Sequence, residues 1–166
     1  MATFIGVDPG TAPNLALVSD DRGWMEVASR DRTSVKLSAS KDEPVGALIC
    51  AVMREWAMLY PIDGVVIEKI GPWTGQGLVS SANFVGAAKL VEGVAAGLGF
   101  PLVQYTPSQW KRGAGLVSKD KDYSRALALK LWPERAAWLK HKYNHNEAEA
   151  ALLAWYHLQT VKKGAP

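Results

Sequence analysis

The chain has 166 residues, 48% of them hydrophobic and 21% charged, enough apolar material for one well-formed core and too little length for two domains. No uninterrupted apolar run approaches the roughly 20 residues that cross a bilayer. The start MATFIGVD lacks the basic-then-apolar pattern of a signal peptide, so a cytoplasmic protein with no membrane partner is expected. The single Cys50 excludes an internal disulfide framework and most thiolate metal sites, and reads as a small buried hydrophobe.

The formal net charge is +3, unevenly spread: residues 1–103 hold 8 Lys and Arg against 11 Asp and Glu, while residues 104–166 hold 11 against 5. Such a basic C-terminal third is the footprint of a polyanion-binding face, or equally of a solvated basic surface without a partner.

In chain order, 3-TFIGVD-8 reads as a strand stopped by 9-PG-10. The runs 14-NLALVS-19 and 24-WMEVAS-29 are joined by 20-DDRG-23, a Gly-containing hairpin loop, so three strands form a meander. Residues 30–43 are polar and without period, the expected mobile connection. A helix is expected over 44–60, between Pro44 and Pro61. The segment 63-DGVVIE-68 is a continuous apolar strand of the buried parallel type, ending in a carboxylate as the first strand does. A Gly-rich loop over 69–83, a small-residue helix over 84–98 and a strand 101-PLVQY-105 follow. Thr106 and Pro107 read as N-cap and first residue of a short helix through Lys111. A helix over about 121–131 ends before Pro133, and Asn144 is placed to cap a final helix to about residue 160. The order βββαβαβα describes a mixed sheet with helices on both faces. The strands ending in Asp8 and Glu68 are then expected to be parallel neighbours, with their carboxylates meeting at one edge.

That edge is where open α/β sheets build their sites. Two carboxylates placed together raise each other's pKa unless a divalent cation holds both ionised, and hard oxygen ligands suit Mg²⁺, with Mn²⁺ able to substitute. On the final helix His145 and Glu149 share a face one turn apart, while Glu147 points roughly the other way. Adding Glu149 and His145 to Asp8 and Glu68 gives a set able to hold two ions about 3.5–4 Å apart for in-line attack on a phosphodiester. Each signal alone has an ordinary reading: a turn after DPG, a buried-strand end, a surface glutamate, a local hydrogen-bonding histidine. Their occurrence together and in this order carries the argument.

The segments FIGVDPGT, VVIEKIGPW, GQGLVSSANFVGAAKLVEG, TPSQWK, SKDKDYSRALALKLWP and HNEAEAALLAWYH together resemble the RuvC-type Holliday junction resolvases of the RNase H-like superfamily, in their phage and plastid branch. The resemblance runs over nearly the whole chain. It implies a single RuvC-like nuclease domain over residues 1–166, with an α/β RNase H-like fold built on a mixed five-stranded sheet. It also implies a homodimer, divalent metal and hydrolysis that nicks four-way DNA junctions symmetrically, in the cytoplasm of a bacterial host if the chain is phage-encoded. Asp8, Glu68 and Glu149 match the family's acids, with His145 one turn earlier on helical geometry and Asn146 as the alternative. His145 is also a candidate for orienting water as a base. Glu147 is expected to support the ligands or lie on the surface. The run TAPN after DPG departs from the family's turn.

The resemblance also makes Lys121 of the KDK motif, with Lys119 next, a residue that approaches the active site or a phosphate. Lys111, Arg112, Lys119, Lys121, Arg125, Lys140 and Lys142 are the expected DNA contacts, and Trp73 is a candidate for stacking on a base or for packing. The small residues Gly86, Ala87, Gly93 and Ala96 suit a two-fold interface or tight packing on the sheet. Rival readings are another RNase H-like nuclease, acting on RNA or in transposition, and an inactive junction-binding protein. A sugar-kinase or actin-like ATPase would need a second phosphate-binding half, and no P-loop is present, so no nucleotide cofactor is expected.

Overall fold

The computed structural model describes residues 1–10, 13–28, 45–71, 77–118 and 120–164, with the backbone alone at Leu78, Ser80, Lys121 and Tyr143. The expected mobile connection 30–43 and Trp73 lie outside the described residues. Five strands make one sheet: β1 (Thr3–Asp8), β2 (Asn14–Ser19), β3 (Gly23–Ala28), β4 (Gly64–Glu68) and β5 (Leu102–Tyr105), in the order β3-β2-β1-β4-β5. The meander β1-β2-β3 is antiparallel, and β4 and β5 run parallel to β1. The parallel strands are joined through α1 (Val45–Leu59) and α2 (Leu78–Gly97). This is the mixed sheet expected from the order of elements. The meander turn is held by Ser19, whose hydroxyl donates to Asp21 at 2.7 Å and accepts from the Arg22 amide at 2.9 Å. Gly23 supplies the positive φ, 71°, that closes it.

Alternation along β1 decides which side chain meets which layer. Ile5 and Val7 point into a core with Leu15, Leu17, Val65 and Ile67, packed beneath Ile49, Met53 and Trp56 of α1 and Val91 of α2. Phe4 belongs to the opposite core, with Val18, Trp24 and Val66, beneath Leu152, Leu153 and Leu158 of α6 (His145–Lys162). Gly6 and Asp8 alternate with Phe4 and so share its face. Both faces are covered, which is why β1 and β4 are near-continuous apolar runs.

Helix α6 lies directly across β1. A Cβ added at Gly6 would collide with the Ala150 carbonyl and meet the Ala154 methyl at 3.0 Å. The Phe4 ring packs edge-on against His157 at 4.5 Å between centroids. Phe4 and Gly6 thus meet His157 and Ala150 in reverse order, so α6 runs antiparallel to β1. Its first turn lies toward the Asp8 end of the strand.

Between β5 and α6 the chain forms α3 (Pro107–Gly113), α4 (Lys121–Leu131), the short α5 (Ala136–Leu139) and two 3-10 turns, Pro133–Arg135 and Lys142–Asn144. Arg135 ties this segment to edge strand β3. Its guanidinium donates to the Trp24 carbonyl at 2.6 Å and to that of Met25, and it stacks over the Trp24 ring.

Several local expectations change. Helix α2 begins at Leu78, six residues before the expected start, so the loop after β4 is shorter. Asn144 occupies the N-cap position of α6 without capping it. Its side chain is buried and donates instead to the Trp138 carbonyl at 2.8 Å, fastening α5 to the start of α6. Cys50 is half-buried rather than buried.

Because Gly6 carries the closest approach of α6 to the sheet, Gly6→Ala is expected to lower unfolding free energy by roughly 1–3 kcal/mol or more, the range for overpacking. Denaturant titration with far-UV circular dichroism measures it.

Candidate active site

Strand register brings the first two acids together. Val7 pairs with Ile67, so the next residues along these parallel neighbours are Asp8 and Glu68. With Phe4 opposite Gly64, both acids stand on the α6 face of the sheet. Each is half-buried at the C-terminal edge.

Glu68 is held from α3. The Trp110 indole N–H donates to its Oε2 at 2.7 Å, and Trp110 itself is almost wholly buried. Helix α3 is fixed at its start by the expected Thr106 cap, completed as a capping box: the Thr106 hydroxyl accepts from the Gln109 amide, and the Gln109 side chain accepts from the Thr106 amide at 2.9 Å. Burial pushes the Glu68 carboxyl above its usual range, and the nearby Glu149 charge adds to this. The Trp110 hydrogen bond and the Lys111 charge oppose it.

Glu149 comes from the second turn of α6, with its side chain only 12% exposed. Lys111 Nζ lies 3.3 Å from both of its carboxylate oxygens, and the Ser124 hydroxyl of α4 donates to Oε1 at 2.8 Å. Helices α3, α4 and α6 therefore converge on one carboxylate, beside Glu68. The same lysine sits over the Trp110 ring, 5.2 Å from its centroid.

No family model matches the chain. Over 63 residues, 37% of this chain, it is 41% identical to a Chlamydomonas reinhardtii protein named "Holliday junction resolvase MOC1, chloroplastic", and the match spans 7% of that relative. Over 99% of its length it superposes on 98% of the Thermus thermophilus RuvC chain solved in complex with a Holliday junction substrate, with a TM-score of 0.72 and 19% identity. The chain has the RuvC fold. A second T. thermophilus RuvC structure gives a TM-score of 0.63 at 21% identity, over 98% of this chain and 97% of that one. Yeast mitochondrial Holliday junction resolvase Ydc2 gives 0.54 at 13% identity, over 98% of this chain and 81% of that one. The RNase H-like arrangement expected from the motifs is the one observed.

Within this RuvC fold the remaining expected residues divide. His145 opens α6, with its Nδ1 3.0 Å from the Lys142 carbonyl. In the tautomer that makes this hydrogen bond, Nε2 is the ring nitrogen able to ligate. Among the described residues, no group of three or more His, Cys, Asp or Glu side chains is gathered closely enough to hold a metal ion. The donor chemistry nonetheless fits a divalent cation. Two oxygen-rich side chains lie together at the edge, and a lysine ammonium already compensates them. Asp8 is the neighbouring carboxylate.

Of the two positions expected for Glu147, the surface is not the one observed. It is 6% exposed and lies one turn before Ala150 and two before Ala154 on the sheet-facing stripe of α6. That side of the helix, rather than the surface, receives it, and antiparallel packing on β1 places it toward the Asp8 end. The i, i+3 relation to Ala150 was the available signal, since only small residues fit where a helix rides on a strand glycine.

Among the basic residues, Arg112, Lys140 and Lys142 are exposed. Lys142 lies 3.7 Å from Asp122 with its side chain 82% exposed. Lys111 is in the acid cluster rather than on an outer face. Arg125 turns inward, donating to the Leu139 carbonyl at 2.7 Å and pairing with Asp122. Lys121 begins α4 one turn before Ser124, and Lys119 lies outside the described residues. Sequence reasoning missed Trp110 and Ser124 as partners of the acids. Trp110 was legible only as part of a short capped helix, and Ser124 as a helix-interior serine.

Because the folded state raises the Glu68 pKa, the unfolded chain gives up this proton at lower pH. The contribution to stability is present below the ordinary carboxylate pKa and is lost as pH rises through the folded value. Glu68→Gln keeps an acceptor for Trp110 and removes the ionisation. In EDTA its melting temperature is expected to fall less than the parent's as pH rises above the ordinary carboxylate value of about 4, measured by scanning calorimetry.

Proposed function

We propose that this chain is a divalent-metal-dependent, structure-selective DNA endonuclease that resolves four-way junctions by paired symmetric nicks. The observation that carries the reading is the juxtaposition of Asp8 and Glu68 at adjacent parallel strand ends, with Glu149 delivered to the same edge by the helix that crosses β1. The similarity to a plastid protein named as a Holliday junction resolvase supports this substrate class. So does the shared fold with a RuvC solved on a junction.

Asp8, Glu68 and Glu149 are the carboxylates that would hold Mg²⁺ or Mn²⁺, two ions per site, with His145 as the neutral ligand or the group that orients water. Bound there, a divalent ion supplies charge stabilisation to the phosphate undergoing in-line displacement. The chain's own contribution is placement. Trp110 and Ser124 each hold one carboxylate by a hydrogen bond, so the acids are oriented before substrate arrives. Lys121, at the head of the helix that carries Ser124, is a candidate phosphate contact. Arg112, Lys140 and Lys142 supply exposed positive charge for backbone phosphates, so affinity should fall steeply with salt.

Symmetric nicking requires two sites, hence a homodimer. Outward glycines of α2 supply a face that a second copy can approach: a Cβ at Gly86 or Gly93 would meet nothing within 4 Å.

A labelled four-way junction, matched duplex and single strand, incubated with Mg²⁺, Mn²⁺ or EDTA, test the reading. Paired nicks in the junction alone, abolished by EDTA, are expected. Cutting of every substrate or of RNA would move the chain to another RNase H-like activity, and binding without cleavage would make it an architectural protein. Asp8→Asn is expected to retain junction binding in a gel-shift assay while cleavage falls by at least about 100-fold, on the scale of losing an essential electrostatic group. Lys121→Ala should slow single-turnover cleavage less completely.

A further inference from the structure

We propose that Lys111 is a built-in counter-ion of the acidic site, occupying in the metal-free protein the position beside Glu149 that a divalent cation takes in competition with it. This rests on the metal-binding reading above and adds a residue whose role is set by the fold. The Lys111 ammonium is equidistant, 3.3 Å, from both oxygens of Glu149, the placement of a cation shared by a whole carboxylate. The pair is substantially withdrawn from solvent, with 32% of the lysine side chain and 12% of the glutamate side chain exposed. Removing one partner of such a pair leaves an uncompensated charge in a poorly hydrated place.

The lysine is also delivered by a rigid element. It follows Trp110, which is anchored in the core and donates to Glu68, on a helix fixed by a capping box. One dipeptide therefore serves both acids, Trp110 by hydrogen bond and Lys111 by charge. Without a cation at this edge, Glu68 and Glu149 repel each other while half-buried. An ammonium resolves that at +1, and a divalent ion resolves it more strongly. An ammonium spread over both oxygens of one carboxylate repels a second cation brought to the same group, so binding of metal there works against the lysine contact. Lys111 is thus a positioning residue: it stabilises the empty site and weakens metal binding by the free energy of its own contact.

The test uses the full chain without DNA, with Mn²⁺ as the probe. Binding is measured by titration calorimetry and stability by thermal melting. Lys111→Met is expected to melt below the parent in EDTA and to bind Mn²⁺ roughly five- to tenfold more tightly, a modest coupling between competing ligands. Mn²⁺ should then raise its melting temperature by more than the parent's. Lys111→Arg, which keeps the charge, should stay near the parent in both measurements. In a Glu149→Gln background the effect of Lys111→Met on Mn²⁺ affinity should vanish. Should Lys111→Met not fold without metal, Lys111→Gln, which retains a donor to Glu149, carries the same expectation.

Unchanged or weaker Mn²⁺ binding by the neutral variants would overturn the counter-ion role. If Glu149→Gln still weakened Mn²⁺ binding, the metal reading would stand and this inference alone would fall. A parent that binds no Mn²⁺, with Asp8→Asn and Glu149→Gln changing nothing, would remove both.

Discussion

The packing of α6 across β1 is the constraint on which the rest depends. Strand-end carboxylates are common and a helix with two glutamates near its start is unremarkable in composition. They become one site because the helix backbone comes down onto Gly6, with Ala150 and Ala154 at the contact. Each of those small side chains removes a methyl or more that would hold the helix away. The axial register set by Phe4 against His157 then fixes which turn of α6 reaches the C-terminal edge. Close packing transmits such placement over several residues because interiors behave as solids.

Electrostatics at that edge works against the packing. Burying the Glu68 carboxyl is costly, and its raised pKa reflects that cost first and the nearby Glu149 charge only second. The compensation comes from a short, capped helix. Trp110 fills the core with its ring and turns its only polar atom toward Glu68, while the next residue extends its ammonium to Glu149. The indole is well suited to this, since it is a donor with no competing acceptor. Ser124 adds a neutral donor from a third helix. Glu149 is therefore held from two helices, α3 and α4, and Glu68 from α3.

Elements with a strong local signature were legible from the chain itself. The apolar runs 3–8 and 14–19 appear as strands at those residues, the run 63–68 as a strand one residue shorter, the turn at Gly23 is where the glycine stands, and the Thr106–Pro107 pair opens α3 with a capping box. Where tertiary contacts compete with local preference, the reading failed. The start of α2 was read as loop because glycines and serines outweigh its helical period. Asn144 looked like a cap because its residue type prefers one, yet its amide is drawn to Trp138 by burial. Lys111 and Arg125 were expected as DNA contacts, and the structure gives each a partner within the chain. One is spent on an acid of the site, and the other on a buried carbonyl.

By itself the sequence determined the strand and helix order, the ends of β1 and β4 at Asp8 and Glu68, and the presence of acids one and two turns into the last helix. These are properties of local periodicity and residue chemistry, which neighbours along the chain suffice to set. Only the tertiary structure decided which face of α6 meets the sheet, that Glu147 is buried toward the Asp8 end, and that Trp110, Lys111 and Ser124 surround Glu68 and Glu149. Those outcomes depend on contacts between residues 25 to 42 positions apart around the acids and, for the seating of α6, on contacts of Gly6 with Ala150 and Phe4 with His157 from opposite ends of the chain, which are fixed by close packing and by the need to compensate buried charge, and neither leaves a periodic trace in the chain.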